Sequence, residues 1–370
     1  MNVRALARVN LAAIERNCAT LIRVSPRLCA VVKADGYGHG ALPCARAVLA
    51  AGASTLAVAA VDEAQELRAG GIAAPIIVLG ALTRAELERA LAADAEVVAW
   101  SEGFLDWVAA FGGGRVHVKL DSGMGRLGTR DGALADRLVE RVASTAGFEL
   151  AGAMTHFATA DDADQRFLEE QIERFSAWVE PLRARHPGML VHAENSAALL
   201  GVSRTRFDMA RCGVALYGLD PFGQDAPARG LEPALELRSW VSLLKPRAVG
   251  ESAGYGRRFI ASEPTELAVL PIGYGDGVRR ALSNNGDVLI GGVRRPLVGT
   301  VSMDSLTVDL GASSGVAVGA EAVLIGVDGD ERVSTEEVAR RSATINYEVT
   351  CAISRRVPRE YHRDGQALAA

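Results

Sequence analysis

A (β/α)8 TIM-type barrel followed by a mostly β C-terminal domain is the α/β fold this sequence predicts, on three observations. Between Arg27 and Gly218 short apolar runs alternate with amphipathic stretches rich in Ala, Glu and Arg, the pattern of repeated βα units. The alternation yields eight strand candidates, in a span approaching the ~250 residues typical of such a barrel. After Leu231 the texture changes to strand-like runs separated by Gly, Pro, Asn and Asp. The expected domains are therefore 1–230 and 231–370, because 370 residues exceed the size at which one core usually stops growing.

In chain order the barrel strands are expected at LCAVVKA (28–34), TLAVAA (55–60), PIIVLG (75–80), EVVAW (96–100), RVHVKLD (115–121), ELAGAMTHF (149–157), MLVHAEN (189–195) and FDMARCGVALYG (207–218). Between them DEAQELRAG, TRAELERALAA, RDGALADRLVERVAST and DADQRFLEEQIERFSAWVEPLRARH carry apolar residues at three- and four-residue spacing, as helices that bury one face do. A doubly wound open sheet is the alternative. Eight regular units, and no G-x-G-x-x-G opening a helix, make it second choice. In the second domain LRSWVSLLKPRAV, ELAVLPIGY, DVLIGGVRRPLVGTVSMDSLTVDL and EAVLIGV read as strands. One helix interrupts them, opened by Ser334 with Glu337 three residues on, a capping-box spacing.

A hydrophobic content of 49% allows a large core, and 40 Lys+Arg interspersed with 45 Asp+Glu, net charge -5, argue against a phosphate-backbone binder. A small molecule is the expected partner, and not nucleic acid. The five cysteines are odd in number and form no C-x-x-C pair, the usage of buried thiols in a reducing compartment. No metal is expected. The N-terminus shows no apolar segment before Glu15 and Arg16, and no apolar run reaches membrane-spanning length. The expectation is a cytoplasmic protein with no membrane partner.

In such barrels the chemistry lies at the C-terminal ends of the strands. Lys33 ends the first run, Lys119 and Asp121 the fifth, His156 the sixth, and Asn195 and Ser196 the seventh, while Arg211 precedes Gly213 in the eighth. Singly, a strand-end Lys is usually solvated and a lone His a satisfied structural group. Their shared placement favours function for the set, although helix capping explains Asn195 equally well. A lysine in a desolvated, glycine-lined position can lose its proton and form a Schiff base, which makes Lys33 a candidate anchor for pyridoxal 5'-phosphate. Ser196, where a helix should start, and Gly213 with Val214 match the phosphate site that barrels often build after strands seven and eight.

These motifs resemble the alanine racemases, fold type III pyridoxal-phosphate enzymes. The resemblance runs through VVKADGYGHG (31–40), KLDSGMGRLG (119–128), MTHFATAD (154–161), HAENSAA (192–198), RCGVALYG (211–218), GYGRRF (254–259), GYGDGVRR (273–280), GTVSMDS (299–305) and INYEVTCAISRRVPR (345–359). It implies an isomerase that interconverts L-alanine and D-alanine and feeds peptidoglycan synthesis. It implies that Lys33 carries the cofactor, that Tyr255 is the second catalytic base, and that Tyr37, Ser196, Gly213, Val214 and Tyr347 contact the phosphate. Arg211 would face the pyridine nitrogen, with His156 between Arg211 and Tyr255. Arg126 would reach the cofactor phenolate and the substrate carboxylate, with Met303 and Asp304 on the substrate side. Lys119 resembles the lysine that many members carbamylate, which pairs with Arg126. A head-to-tail homodimer would bring Tyr255, Tyr274 and Met303 of one subunit to the barrel of the other.

The residues by themselves support two of these roles. Racemisation needs a base on each face of Cα, and Lys33 and Tyr255 are a sufficient pair. A phenol needs positive charge nearby to act as a base near neutral pH, which Arg211 and His156 could provide. Asp35, Cys212 and Ser302 depart from the commonest family residues without removing a proposed catalytic group. The alternatives on the same scaffold are a racemase of other or several small amino acids, a fold type III decarboxylase or aldolase, and a non-catalytic cofactor carrier.

Overall fold

The computed structural model describes residues 3–202 and 204–367. The outermost residues of the two expected domain ranges, 1–2 and 368–370, and residue 203 lie outside the described residues. One compact unit comprises Ile14–Gly36 and Ala41–Leu216; the other comprises the N-terminal residues up to Ala13, the segment Tyr37–Gly40, and the chain from Tyr217 onward.

Strand β1 (Leu6–Asn10) belongs to the second unit. In the barrel unit β2 (Leu28–Val31), β3 (Thr55–Val58), β4 (Ile76–Val78), β5 (Glu96–Ala99), β6 (Gly114–Lys119), β7 (Phe148–Met154), β8 (Leu190–His192) and β9 (Ala210–Cys212) form a parallel sheet in the order β8-β7-β6-β5-β4-β3-β2-β9. A parallel bridge between His192 and Met209, with Asp208 N donating to Val191 O at 2.8 Å, brings β9 back to β8. The expected barrel is therefore present, nearly closed. Its strands are buried across both faces, as parallel strands covered by helices must be. Thr83, Ser101 and Asp131 cap the helices Arg84–Ala92, Glu102–Ala110 and Gly132–Ser144 with their side chains, which fixes where each helix leaves its strand.

The strands are shorter than the apolar runs. FDMARCGVALYG supplies only β9, after which Val214–Tyr217 winds into a 3-10 turn. The first run ends at Val31, so Lys33 stands beyond the strand and not on its last residue. There Ala34, Asp35, Gly36 and Tyr37 all take left-handed φ values of 52 to 59°. Glycine alone does not explain this turn, because three of the four residues carry a Cβ and are disfavoured there. Side chains hold it instead: Asp35 Oδ1 accepts from Ala41 N at 2.8 Å, and Glu63 Oε1 accepts from Ala34 N at 2.5 Å.

In the second unit β1 pairs antiparallel with Leu235–Trp240 (Ala7 opposite Leu237) and parallel with Arg359–Arg363 (Ala7 opposite Arg359). Its alternating burial, with Ala7 and Val9 inward, is that of a strand with one face on a core. The first residues of the chain thus join the β unit instead of the barrel. Leu243–Arg247, Thr265–Leu270, Leu306–Asp309, Val293–Val298, Gly286–Ile290 and Glu321–Asp328 extend this sheet beyond Leu235–Trp240, and Gln366–Ala367 extends it beyond Arg359–Arg363. Ser334 caps Thr335–Arg341 by accepting from Glu337 N at 3.1 Å. The return half of the expected capping box is missing, because the Glu337 carboxylate is bonded to Arg294 and Arg341 at 2.9 Å. A second short helix, Asn346–Cys351, follows where only one was expected. Gly38 lies against it: at φ +83°, any Cβ there would stand 2.1 Å from the Thr350 carbonyl oxygen.

Candidate active site

Arg211 is the centre of the polar cluster in the barrel. It is 4% exposed, and burial lowers its pKa to about 10, which leaves it a cation at neutral pH. Its bonds all go to neutral acceptors: Nη2 to Thr155 O (2.6 Å), Ala193 O (3.0 Å) and His156 Nδ1 (3.2 Å), and Nη1 to His192 Nδ1 (2.9 Å). Among the described residues none of them uses Nε. Guanidinium only donates, so both imidazole nitrogens accept and both histidines carry their proton on Nε2. Burial, and then the charge of Arg211, hold His156 and His192 well below the usual imidazole range.

Further cations gather around this point. Lys119 is 5% exposed; burial, followed by repulsion from Arg211 and Arg126, lowers its pKa to about 8. Lys33, Lys119, Arg126 and Arg211 each push the His156 pKa down. Asp121 acts in the opposite sense on Lys119, but its carboxylate is spent on Gly123 N and Gly125 N at 3.0 Å. Arg126 is exposed and enters no ion pair among the described residues. The barrel therefore concentrates positive charge around Arg211, which suits an anionic ligand.

Beside the cluster Ser196 opens the short helix Ser196–Leu200, and its Oγ accepts from Gly213 N at 3.1 Å and Ala215 N at 3.4 Å. This joins the loops that follow β8 and β9 and sets Val214 at the start of its 3-10 turn. Asn195 is the helix cap, with its side-chain oxygen on Ala198 N at 3.0 Å. The capping reading accounts for it.

The second unit holds the other predicted residues in two groups. Tyr37 packs its ring 6.1 Å from Tyr347 and 5.1 Å from Tyr217. Elsewhere Tyr255 is 74% exposed, on a turn opened by Gly254 at φ +72°. The loop that carries Met303 and Asp304 gathers the rest: Thr300 Oγ1 donates to Tyr255 O at 2.8 Å, while Ser302 O and Met303 O accept from Tyr274 N at 3.0 Å and Gly275 N at 2.9 Å. Gly273 permits this approach, since a Cβ there would stand 2.2 Å from Ser302 O. Asp304 is paired with Arg356 at 2.5 Å.

Sequence reasoning misses Glu63, whose other oxygen accepts from Ala59 N at 2.8 Å and Ala60 N at 3.0 Å and so ties the Lys33 turn to the start of the helix Val61–Ala69. It also misses His192 and the Thr155 carbonyl, the direct partners of Arg211. The available signal was a buried histidine in an otherwise apolar strand.

No helix among the described residues is long and apolar enough to cross a membrane. The family profile "Alanine racemase, N-terminal domain" matches residues 9–221, and "Alanine racemase, C-terminal domain" matches residues 234–361. "Alanine racemase" of Symbiobacterium thermophilum is 42% identical over 364 residues, covering 96% of each chain. "Alanine racemase 2" of Caldanaerobacter subterraneus subsp. tengcongensis is 39% identical, covering 97% of this chain and 95% of its own. Among solved structures, alanine racemase from E. faecalis superposes with a TM-score of 0.88 at 35% identity, covering 97% of this chain and 98% of that one. Biosynthetic alanine racemase from Pseudomonas aeruginosa gives 0.86 at 35% identity, covering 97% and 99%.

Proposed function

The chain belongs to the alanine racemase family, and from that premise we propose that it interconverts L-alanine and D-alanine with pyridoxal 5'-phosphate as cofactor, supplying D-alanine for peptidoglycan. The observation that carries this reading is the buried Arg211 guanidinium at the centre of a cluster of cations, with neutral hydrogen-bond acceptors among the described residues. The donor set fits the cofactor: an amine at Lys33, a cation that keeps its proton at Arg211, and a hydroxyl-gathered loop at Ser196, Gly213 and Val214. When bound, pyridoxal phosphate withdraws electrons from Cα and makes its proton acidic.

The chain's residues then divide the work. Lys33 holds the cofactor and serves as one proton carrier at Cα, and the Tyr255 hydroxyl serves as the other on the opposite face. Arg211 keeps its proton and would face the ring nitrogen. His156, neutral, accepts from Arg211 and donates through Nε2 toward the second base. Ser196 and the amides of Gly213 and Val214 would hold the phosphate, and Tyr37 and Tyr347 are the phosphate-binding candidates of the second unit. Arg126 binds the substrate carboxylate, with Met303 bounding the substrate and Asp304 orienting Arg356 behind it. Carbamylation of Lys119 joins its neutral amine to carbon dioxide with loss of one proton, and turns a repelling cation into an anion that pairs with Arg126.

Tyr255, Tyr274 and Met303 form one cluster, and 74, 42 and 51% exposure is unusual for side chains of their size. A head-to-tail homodimer that covers them, with Tyr255 of one subunit completing the barrel site of the other, accounts for that exposure. Four buried free cysteines and one exposed one suit the reducing cytoplasm. The decisive experiment incubates L-alanine with protein and cofactor in heavy water. Loss of the Cα proton by NMR together with D-alanine on a chiral column supports the proposal; bound cofactor without exchange refutes it.

A further inference from the structure

Behind Arg211 a chain of side chains runs through the barrel core. Arg211 Nη1 bonds His192 Nδ1 (2.9 Å), His192 Nε2 bonds His117 Nδ1 (2.9 Å), and His117 Nε2 bonds Glu96 Oε2 (2.7 Å). Glu96 is the first residue of β5 and Arg211 the middle residue of β9. Both histidines are fully buried, and Arg211 and Glu96 nearly so. At the outer end Glu96 Oε1 meets Arg115 Nε at 3.3 Å. The fold makes room for this path, because a Cβ on Gly152, which pairs with His117 in the β6/β7 register, would stand 2.5 Å from His117 Nδ1.

Only one arrangement of protons satisfies the chain. Guanidinium cannot accept, so His192 Nδ1 accepts and its proton sits on Nε2. A carboxylate cannot donate, so His117 Nε2 donates and Nδ1 accepts. Both ends dictate the same direction for the middle bond, with two neutral imidazoles between a cation and an anion. Burial keeps His192 neutral, and although burial alone would raise the Glu96 pKa, the His117 bond and Arg115 hold it below the usual carboxylate value.

We propose that Glu96 is a positioning residue for the reaction, acting through His117 and His192 to fix the orientation and donor strength of Arg211. Its charge draws the His117 proton toward the carboxylate and makes Nδ1 a stronger acceptor; the same polarisation passes to His192 and on to Arg211 Nη1. A carboxylate at the N-terminal end of one strand thereby adjusts a guanidinium in the cluster described above. The catalytic consequence rests on the proposed racemase function, whereas the relay can be tested without it.

The test uses cofactor-free protein labelled with 15N-histidine and two variants. Glu96→Gln keeps an acceptor but removes the charge, and Glu96→Leu removes both. In wild type both His117 and His192 should show the Nε2-protonated neutral tautomer at pH 7. Glu96→Gln should shift the ring nitrogens of His117 and also those of His192, two links away. Reloaded with pyridoxal phosphate, it should lower kcat about tenfold with little change in KM, since the effect lies on Arg211 and not on substrate contacts. An Nδ1 proton on His192, or a Glu96→Gln spectrum in which only His117 moves, overturns the relay. Unchanged kcat with both histidines shifted overturns its catalytic role. Failure of wild type to racemise alanine, with the tautomers as expected, counts against the functional reading and not the relay. Glu96→Gln carries the test where Glu96→Leu does not fold.

Discussion

Replacing Lys119 by methionine should stabilise the cofactor-free protein at neutral pH. Methionine keeps an unbranched stem of similar length and removes the charge. Burial, and then Arg211 and Arg126, lower the Lys119 pKa from 10.5 to about 8, so the folded state binds this proton less tightly than the unfolded chain does. The sign follows. Above 10.5 the amine is neutral in both states and carries no penalty; as pH falls toward 8 the unfolded chain takes up the proton first, and stability declines. Below about 8 the full penalty stands. At about 1.4 kcal/mol per pH unit, the displacement amounts to about 3 kcal/mol at pH 7. The assay is urea unfolding of wild type and Lys119→Met, both free of cofactor and bicarbonate, at pH 7 and pH 10, with the difference between the proteins as the measured quantity. The variant should be more stable at pH 7 and lose most of that advantage at pH 10. Bicarbonate should narrow the gap at pH 7 by carbamylating the wild-type amine. A gap of equal size at both pH values, or a variant less stable at pH 7, refutes the reasoning.

Ser196→Ala strips the shared acceptor from the Gly213 and Ala215 amides and should cost about 1–3 kcal/mol in the cofactor-free protein while weakening pyridoxal phosphate binding, read by absorbance titration. Arg211→Glu puts an acid that can yield its proton where a guanidinium cannot, and should raise the share of turnovers that end in pyruvate; an unchanged ratio of racemisation to pyruvate formation sinks that idea. A mixture of Lys33→Ala and Tyr255→Ala subunits should regain part of the activity that each lacks alone, and no recovery on remixing means that each chain is self-contained.

The barrel was legible because its strands are buried on both faces and read as continuous apolar runs, so eight of them at regular intervals could be counted. Their ends were not, because hydropathy continues where the strand stops: Ala34 looks like strand, yet there the chain has already entered a left-handed turn fixed by Asp35 and Glu63. The strand Leu6–Asn10 escaped notice because five residues pairing with Leu235–Trp240 and Arg359–Arg363 leave no local trace of partners so distant in sequence. For the site, residue types at strand ends pointed to Lys33, Lys119, His156, Ser196 and Arg211. Glu96, His117 and His192 lie within strands, where position suggests core, and only their polarity in buried surroundings marked them.

The placement of acids explains how this barrel can keep its cluster of cations. A carboxylate in contact with Arg211 would neutralise it and compete for any anion brought to the site; instead its immediate partners are two carbonyls and two neutral imidazoles. Asp121, the acid beside Lys119, is committed to backbone amides, and Glu96 is held two histidines away. Burying cations together costs stability, as the pKa of Lys119, lowered first by burial and then by Arg211 and Arg126, registers. It also means that an anion brought to this cluster meets cations that no contacting carboxylate has neutralised at Arg211, so part of the energy withheld in folding is recovered on binding. The same arithmetic makes Glu96 useful at a distance, where it can polarise Arg211 without occupying the position that a ligand needs.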